Sequence, residues 1–185
     1  MKKGILLTFI LMLALSVYAQ DEHFKFLGIP LDGSIEEFEA KLCDKGFIRE
    51  MESRESEINK RNYKGLFAGY DSDVTIEFNP RNRNVYSACV LITRSDPKTI
   101  LKLYEKFRDD YLQKYPENKY REIDLEDYPS MAMWFNDSSN KKEIGQVTIL
   151  ALPTMYEIFG YCSLTISYTD KANKEKNDNS KLDDL

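Results

Sequence analysis

Apolar residues recur at helical spacing in two stretches of the chain. Ile35, Phe38 and Leu42 form the first stripe, with Ser34 ahead of it as N-cap and Glu37 three residues on, the pattern of a capping box. Gly46 follows where a left-handed C′ residue belongs, and Phe47 is placed to pack back on Leu42, as in a Schellman stop. Ile100, Leu103, Tyr104, Phe107 and Tyr111 form the second stripe. Asp96 is its expected N-cap, Pro97 occupies the first helical position, and Pro116 requires an end by Tyr115.

Between and after these helices the pattern shortens to strands. Phe24 to Leu31 reads as an extended lead-in. Residues 47–54 predict a polar strand, and Glu55 to Asn62 a charged connection. Tyr63 to Tyr70 predicts a strand turned by Asp71-Ser72-Asp73 into a second strand from Val74 to Asn79. The loop Pro80 to Asn84 leads to Val85–Thr93, apolar on both faces and therefore expected in the sheet interior. Beyond helix two, strands are expected over Lys119–Asp124, Met131–Asn136, Ile144–Leu152 and Tyr161–Tyr168.

The two ends differ from this pattern. Lys2 and Lys3, the apolar run Ile5 to Leu15, and small residues at Val17 and Ala19 have the layout of a signal peptide over 1–19, cut before Gln20. The apolar run is shorter than the roughly 20 residues that span a bilayer. No cysteine lies near the cut for lipid attachment. An exported location, periplasmic or secreted, is therefore expected, with no membrane anchor after cleavage. Residues 170–185 are polar and read as a flexible tail, or at most a frayed helix. Residues 20–169 are left for one domain.

The order helix, four strands, helix, four strands suggests a tandem layout with halves 34–93 and 97–168. A shift of 73 residues aligns Val74-Thr75-Ile76 with Val147-Thr148-Ile149, Pro80 with Pro153 and Cys89 with Cys162. The register does not reach the helices. The first strand of each half is charged (Arg49, Glu50, Glu52 and Arg54; Lys119, Arg121, Glu122 and Asp124), as suits exposed sheet edges. The expected fold class is thus α+β: a single antiparallel sheet of about eight strands with two helices on one face, and with the strands of Cys89 and Cys162 adjacent and antiparallel at the centre. Such neighbours make Cys89 and Cys162 a disulfide candidate in an oxidising compartment. The three cysteines also allow three buried thiols.

Lys2 and Lys3 are the only charged residues before Gln20, so the remainder carries 24 basic against 31 acidic side chains, net −7 compared with −5 for the whole chain. An acidic chain without a basic stripe excludes nucleic acid as the expected partner. Aromatic residues make up 12 %, which favours a β-rich fold or a tyrosine-rich binding surface.

The segment Phe26-Leu27-Gly28-Ile29-Pro30-Leu31-Asp32-Gly33-Ser34 with Lys45-Gly46-Phe47, and the end Ser167-Tyr168-Thr169-Asp170-Lys171 through Leu182-Asp183-Asp184-Leu185, resemble a family of small exported Bacteroidetes proteins. The resemblance implies an envelope or secreted location in a Gram-negative bacterium and carries over no catalytic residues. The duplicated layout is also similar to the beta-lactamase inhibitor protein architecture, which bears on fold alone.

Candidate chemistry is sparse. Asp71-x-Asp73 lacks the glycine and distant glutamate of a calcium loop, and Asp124, Glu126 and Asp127 read as a polar linker rather than paired catalytic carboxylates. His23 is the only histidine and is expected to be frayed and solvated. Cys43 ends a helix, where the dipole disfavours a thiolate. No cofactor and no metal site are expected. The function these readings favour is a non-catalytic binding module that uses the open face of the sheet to meet an envelope or extracellular protein or ligand. Trp134, which alternates with Met131, Met133 and Phe135, is a candidate on that face. Arg81 and Arg83 are candidates on a hairpin tip. A carboxylate-based hydrolase of the cell envelope and a structural envelope component are the alternatives.

Overall fold

A computed structural model describes residues 23–50, 58–123, 128–137 and 141–182. The predicted signal peptide, most of the connection after residue 50, and the carboxylates Asp124, Glu126 and Asp127 lie outside the described residues. Among the described residues the fold is α+β, with a large antiparallel eight-stranded sheet, a small two-stranded one and four helices.

The lead-in is a miniature hairpin, β1 (Lys25–Phe26) and β2 (Ile29–Pro30). Helix α1 (Ile35–Asp44) follows, and both of its predicted ends are present. Ser34 Oγ accepts from Glu37 N at 3.3 Å. At the other end Phe47 N donates to Leu42 O and Gly46 N to Cys43 O, with Gly46 at φ +89°, the paired bonds of a Schellman motif.

The first meander is β3 (Ile48–Arg49), β4 (Lys60–Phe67), β5 (Tyr70–Phe78) and β6 (Val85–Arg94). Its tight turn is Ala68-Gly69, with φ +50° and +85°, rather than the expected Asp71-Ser72-Asp73. Two central residues with positive φ are what a two-residue hairpin matching strand twist needs. Gly69 supplies one, whereas Ala68 in the other hides the turn from composition. The three polar residues instead belong to β5, where the Ser72 hydroxyl donates to Gly65 O.

Helix α2 (Pro97–Lys114) is capped by Asp96, which accepts from Lys98 N and Thr99 N. The second meander is β7 (Tyr120–Ile123), β8 (Ser130–Asn136), β9 (Glu143–Leu152) and β10 (Cys162–Asp170). A five-residue helix, α3 (Met155–Phe159), interrupts the β9–β10 connection.

Strand order is β3-β4-β5-β6-β10-β9-β8-β7. The charged first strands are therefore the two edges, and β6 and β10, carrying Cys89 and Cys162, are central antiparallel neighbours. The bridge between those cysteines is absent for a geometric reason. Cys89 pairs with Ser167 and Cys162 with Arg94, so the sulfurs are several residues apart along the ladder and belong to opposite faces. The buried Cys162 Sγ lies 3.2 Å from Pro153 O.

One pleat face carries the core. Tyr63, Val74, Val90, Ile166, Ile149 and Met131 form a continuous cross-strand row, all buried. Ile35, Phe38 and Leu42 of α1 and Ile100, Leu103, Tyr104 and Phe107 of α2 join the same cluster. At about 25 cal/mol per Å² of apolar surface removed from water, burial on this scale dominates folding.

The described part of the expected tail is helical. Lys171–Leu182 form helix α4, packed against β6, β9 and β10. Among its described side chains Asn173 and Asn177, four residues apart, are buried, so amides stand where hydropathy would look for leucines. Asp170, fully buried at the end of β10, accepts from Asn173 N at 2.8 Å in the manner of an N-cap. The Asn173 amide in turn donates to Leu31 O at 2.9 Å.

Candidate functional site: the sheet face opposite the core

Residues that alternate with the buried ones stand on the other face of the eight strands. Their central cross-strand row is Asn62, Thr75, Cys89, Ser167, Thr148, Ala132 and Arg121. Between the terminal Asn62 and Arg121 every side chain is small, so this band of the face is flat. Its polar groups bond to one another across the strands. Thr75 Oγ1 donates to Asn62 Oδ1 at 2.9 Å, and Ser167 Oγ lies 3.6 Å from Cys89 Sγ. Burial pushes the Cys89 thiol above its ordinary pKa, so it is a protonated small side chain rather than a nucleophile.

Two flanking rows differ in chemistry. The row toward the Ala68-Gly69 turn runs Ile48, Lys64, Asp73, Leu91, Thr165, Leu150, Ser130 and Ile123, mixing apolar and charged positions. Ile48 is 73 % and Leu66 63 % exposed there, beside a recess of about 410 Å³ that also touches Asp73 and Leu91. Asp71 and Asp73 are therefore strand residues of this face and not the arms of a cation loop. The opposite row runs Lys60, Glu77, Ser87, Thr169, Gln146 and Trp134. Helix α4 borders it, with Lys171, Lys174 and Glu175 facing Gln146 and Thr169 across a recess of about 300 Å³. The face is thus framed on one side by a helix that hydropathy did not reveal.

Trp134 stands in that row, partly exposed, while Met131, Met133 and Phe135 are buried. Its backbone fixes β8 to the preceding segment, because Trp134 N donates to Lys119 O and Asn118 Nδ2 donates to Trp134 O, each at 2.9 Å.

Arg83 does not join Trp134. Strands β10 and β9 lie between β6, which Arg83 precedes, and β8. The Arg83 guanidinium is turned back onto α1, where Nε donates to Glu36 Oε1 at 3.0 Å, and it lies 5.3 Å from the Phe78 ring centroid. Arg61 reaches the same Glu36 at 3.0 Å and Glu39 at 2.5 Å. These bonds, Arg83 first, hold the Glu36 carboxyl well below its usual range, at about 2. The expected basic spot is therefore a neutralised network that ties the β5–β6 loop to α1. Arg81 is exposed on that loop, and its N–H donates to Asn79 Oδ1.

His23 is likewise not frayed. Its Nδ1 lies 3.1 Å from Asp170 Oδ2 and its Nε2 3.5 Å from Asp32 Oδ2. Phe24 N donates to the same Asp170 oxygen at 2.7 Å. This junction of the lead-in, β10 and α4 was invisible in sequence because His23 and Phe24 lie 146 or more residues from Asp170.

An exposed apolar group stands out beside the sheet at α3. Tyr156, Ile158, Phe159 and Tyr161, on and after α3, are between 40 and 76 % exposed. Among the described residues no helix is long and apolar enough to cross a membrane, and no group of His, Cys, Asp and Glu is arranged to hold a metal ion. No family model, curated protein or solved structure matches the chain.

Proposed function

We propose that the chain is an exported, non-catalytic binding module that meets an envelope or extracellular partner through the sheet face opposite the core. The long helices α1 and α2 cover the other face in this reading. The observation that carries it is the central row from Thr75 to Ala132, in which five adjacent strands present only small side chains. A flat band of small uncharged side chains can itself be desolvated by a partner without burying a charge, in keeping with the depletion of charge at interface cores. Export is supported by the layout of residues 1–19. The pairs Val74/Val147 and Ile76/Ile149, equivalently buried in β5 and β9, support descent of the two halves from one helix-plus-four-strand unit.

The test is differential capture from envelope extracts of the host. Thr148→Arg places a long cation in the middle of the flat band, and Lys102→Glu changes an exposed position on α2 as a control. A stoichiometric partner retained by wild type and Lys102→Glu, and lost with Thr148→Arg, is the expected result. Equal retention by all three, or turnover of a glycan or peptide by the purified protein, refutes the proposal. Mass spectrometry of the protein from its host should find an N-terminus at Gln20, and an intact Met1 in the dominant species would refute export by cleavage.

A further inference from the structure

A cleft on the other side of the molecule shares no residue with the face just described. Phe107, Asp110, Tyr111 and Lys114 line it from one stripe of α2, Tyr115 extends that wall, and Phe67 closes it from the end of β4. Its volume is about 200 Å³, room for one six-membered ring with a short tail and too little for a nucleotide.

The walls are preformed. Phe67 and Phe107 have ring centroids 5.9 Å apart, and Tyr111 and Tyr115 6.0 Å. Tyr115 is braced edge-on against Phe135 at 4.9 Å. The Tyr111 hydroxyl is hydrogen-bonded to that of Tyr168, which fixes the ring at the floor. A guest ring would meet aromatic faces and edges whose rotamers are already set, the arrangement that rewards stacking and edge contacts.

The rim decides the sign of the ligand. Asp110 Oδ2 is taken by Lys106 Nζ at 2.5 Å, so its charge is compensated within the helix. Lys114 Nζ lies 5.2 Å from the Tyr115 ring centroid, and among the described residues no carboxylate forms a salt bridge with it. The uncompensated charge at the mouth is therefore positive. The C-terminus of α2 opposes an anion here, which limits the affinity.

We infer that this cleft binds a monocyclic aromatic carboxylic acid, with the ring lying on the contacting Phe67–Phe107 pair against Tyr111 and Tyr115 and the carboxylate at Lys114. An acid of this size is expected to bind with a Kd of about 1 mM.

The experiment is an amide NMR titration of the purified protein with 3-phenylpropionate. Saturable shifts should be confined to the surroundings of Phe67 and of Phe107 to Tyr115. Lys114→Gln, and in parallel the uncharged 3-phenylpropanamide on wild type, should each weaken binding about fivefold, the worth of one exposed ion pair. Asp110→Asn should not weaken it. Both substitutions are at the surface, and their spectra report directly whether the fold is intact. Absence of saturation by about 20 mM, equal binding of acid and amide, or shifts centred on Thr148 and Ser167 would overturn the inference. Because the cleft and the flat face share no residue, failure here leaves the interaction proposal standing, and the reverse.

Discussion

Asp170 ties the lead-in, 146 residues away in sequence, to the start of α4, and its removal can be costed from its partners. Its Oδ2 accepts from Phe24 N at 2.7 Å and its Oδ1 from Asn173 N at 2.8 Å, inside a site with no solvent exposure. A hydrogen bond to a charged acceptor contributes about 1.5–3 kcal/mol, and an N-cap about 1 kcal/mol. Asp170→Ala should therefore destabilise the protein by about 3 kcal/mol, a large part of the 5–15 kcal/mol typical of a domain. The carboxamide of Asp170→Asn has one oxygen for two N–H donors. It can satisfy either the lead-in or the helix but not both, so about 2 kcal/mol should be lost. Urea denaturation measures both values, with an unchanged m-value as the check that the unfolded state is unaffected. Tryptic cleavage after Lys171, Lys174 and Lys176 should accelerate in both variants as α4 frays. Asp170→Asn within about 0.5 kcal/mol of wild type, or Asp170→Ala with α4 still protected, would show that the two donors do not depend on this carboxylate.

Four further substitutions test single positions. Ser34→Ala should cost about 1 kcal/mol through the lost cap, and Gly46→Val at least as much because a β-branched residue is strained at φ +89°; denaturant midpoints equal to wild type would contradict both end assignments. Gly145→Ala should cost about 1–3 kcal/mol, because its Cβ would sit 2.5 Å from Phe24 Cγ and 2.7 Å from Thr169 O; a thermal midpoint unchanged from wild type would show that the lead-in is not seated on β9. Glu36→Gln tests the charged network by pH. A carboxyl held at about 2 when folded against an ordinary 4.5 stabilises the protein above pH 4.5, and that contribution is lost as pH falls toward 2. At this exposed position it amounts to no more than about 1 kcal/mol, so the variant should be slightly less stable at pH 6 and converge with wild type by pH 2. Parallel stability curves across that range would be the contrary result.

The sequence by itself determined the elements whose signals are local. Ser34 and Gly46 mark the ends of α1, and Asp96 and Pro97 the start of α2, because caps and special φ values act within a few residues. Charge on the first strand of each half placed those strands at the edges, and that choice brought β6 and β10 together at the centre, since an unpaired edge tolerates charge and an interior strand does not. Tertiary structure decided what depends on distant partners. Pairing along β6 and β10 put Cys89 and Cys162 on opposite faces, because a register offset of one residue reverses the face of a side chain. Helix α4 has no apolar stripe to announce it, and its order comes from Asp170 and from the Asn173 amide, which meets the carbonyls of Leu31 and Val85. Arg83 reads as a free cation on a hairpin tip until the fold sets Glu36 beside it. The alternation of β8 could put Trp134 opposite Met133, but only the completed sheet set it beside Gln146 and Thr169 and brought α4 to their border. Periodicity selects a face within one element; which residues share that face is fixed by pairing between elements, and the contacts of Glu36 with Arg83 and of Asp170 with Phe24 are of the second kind.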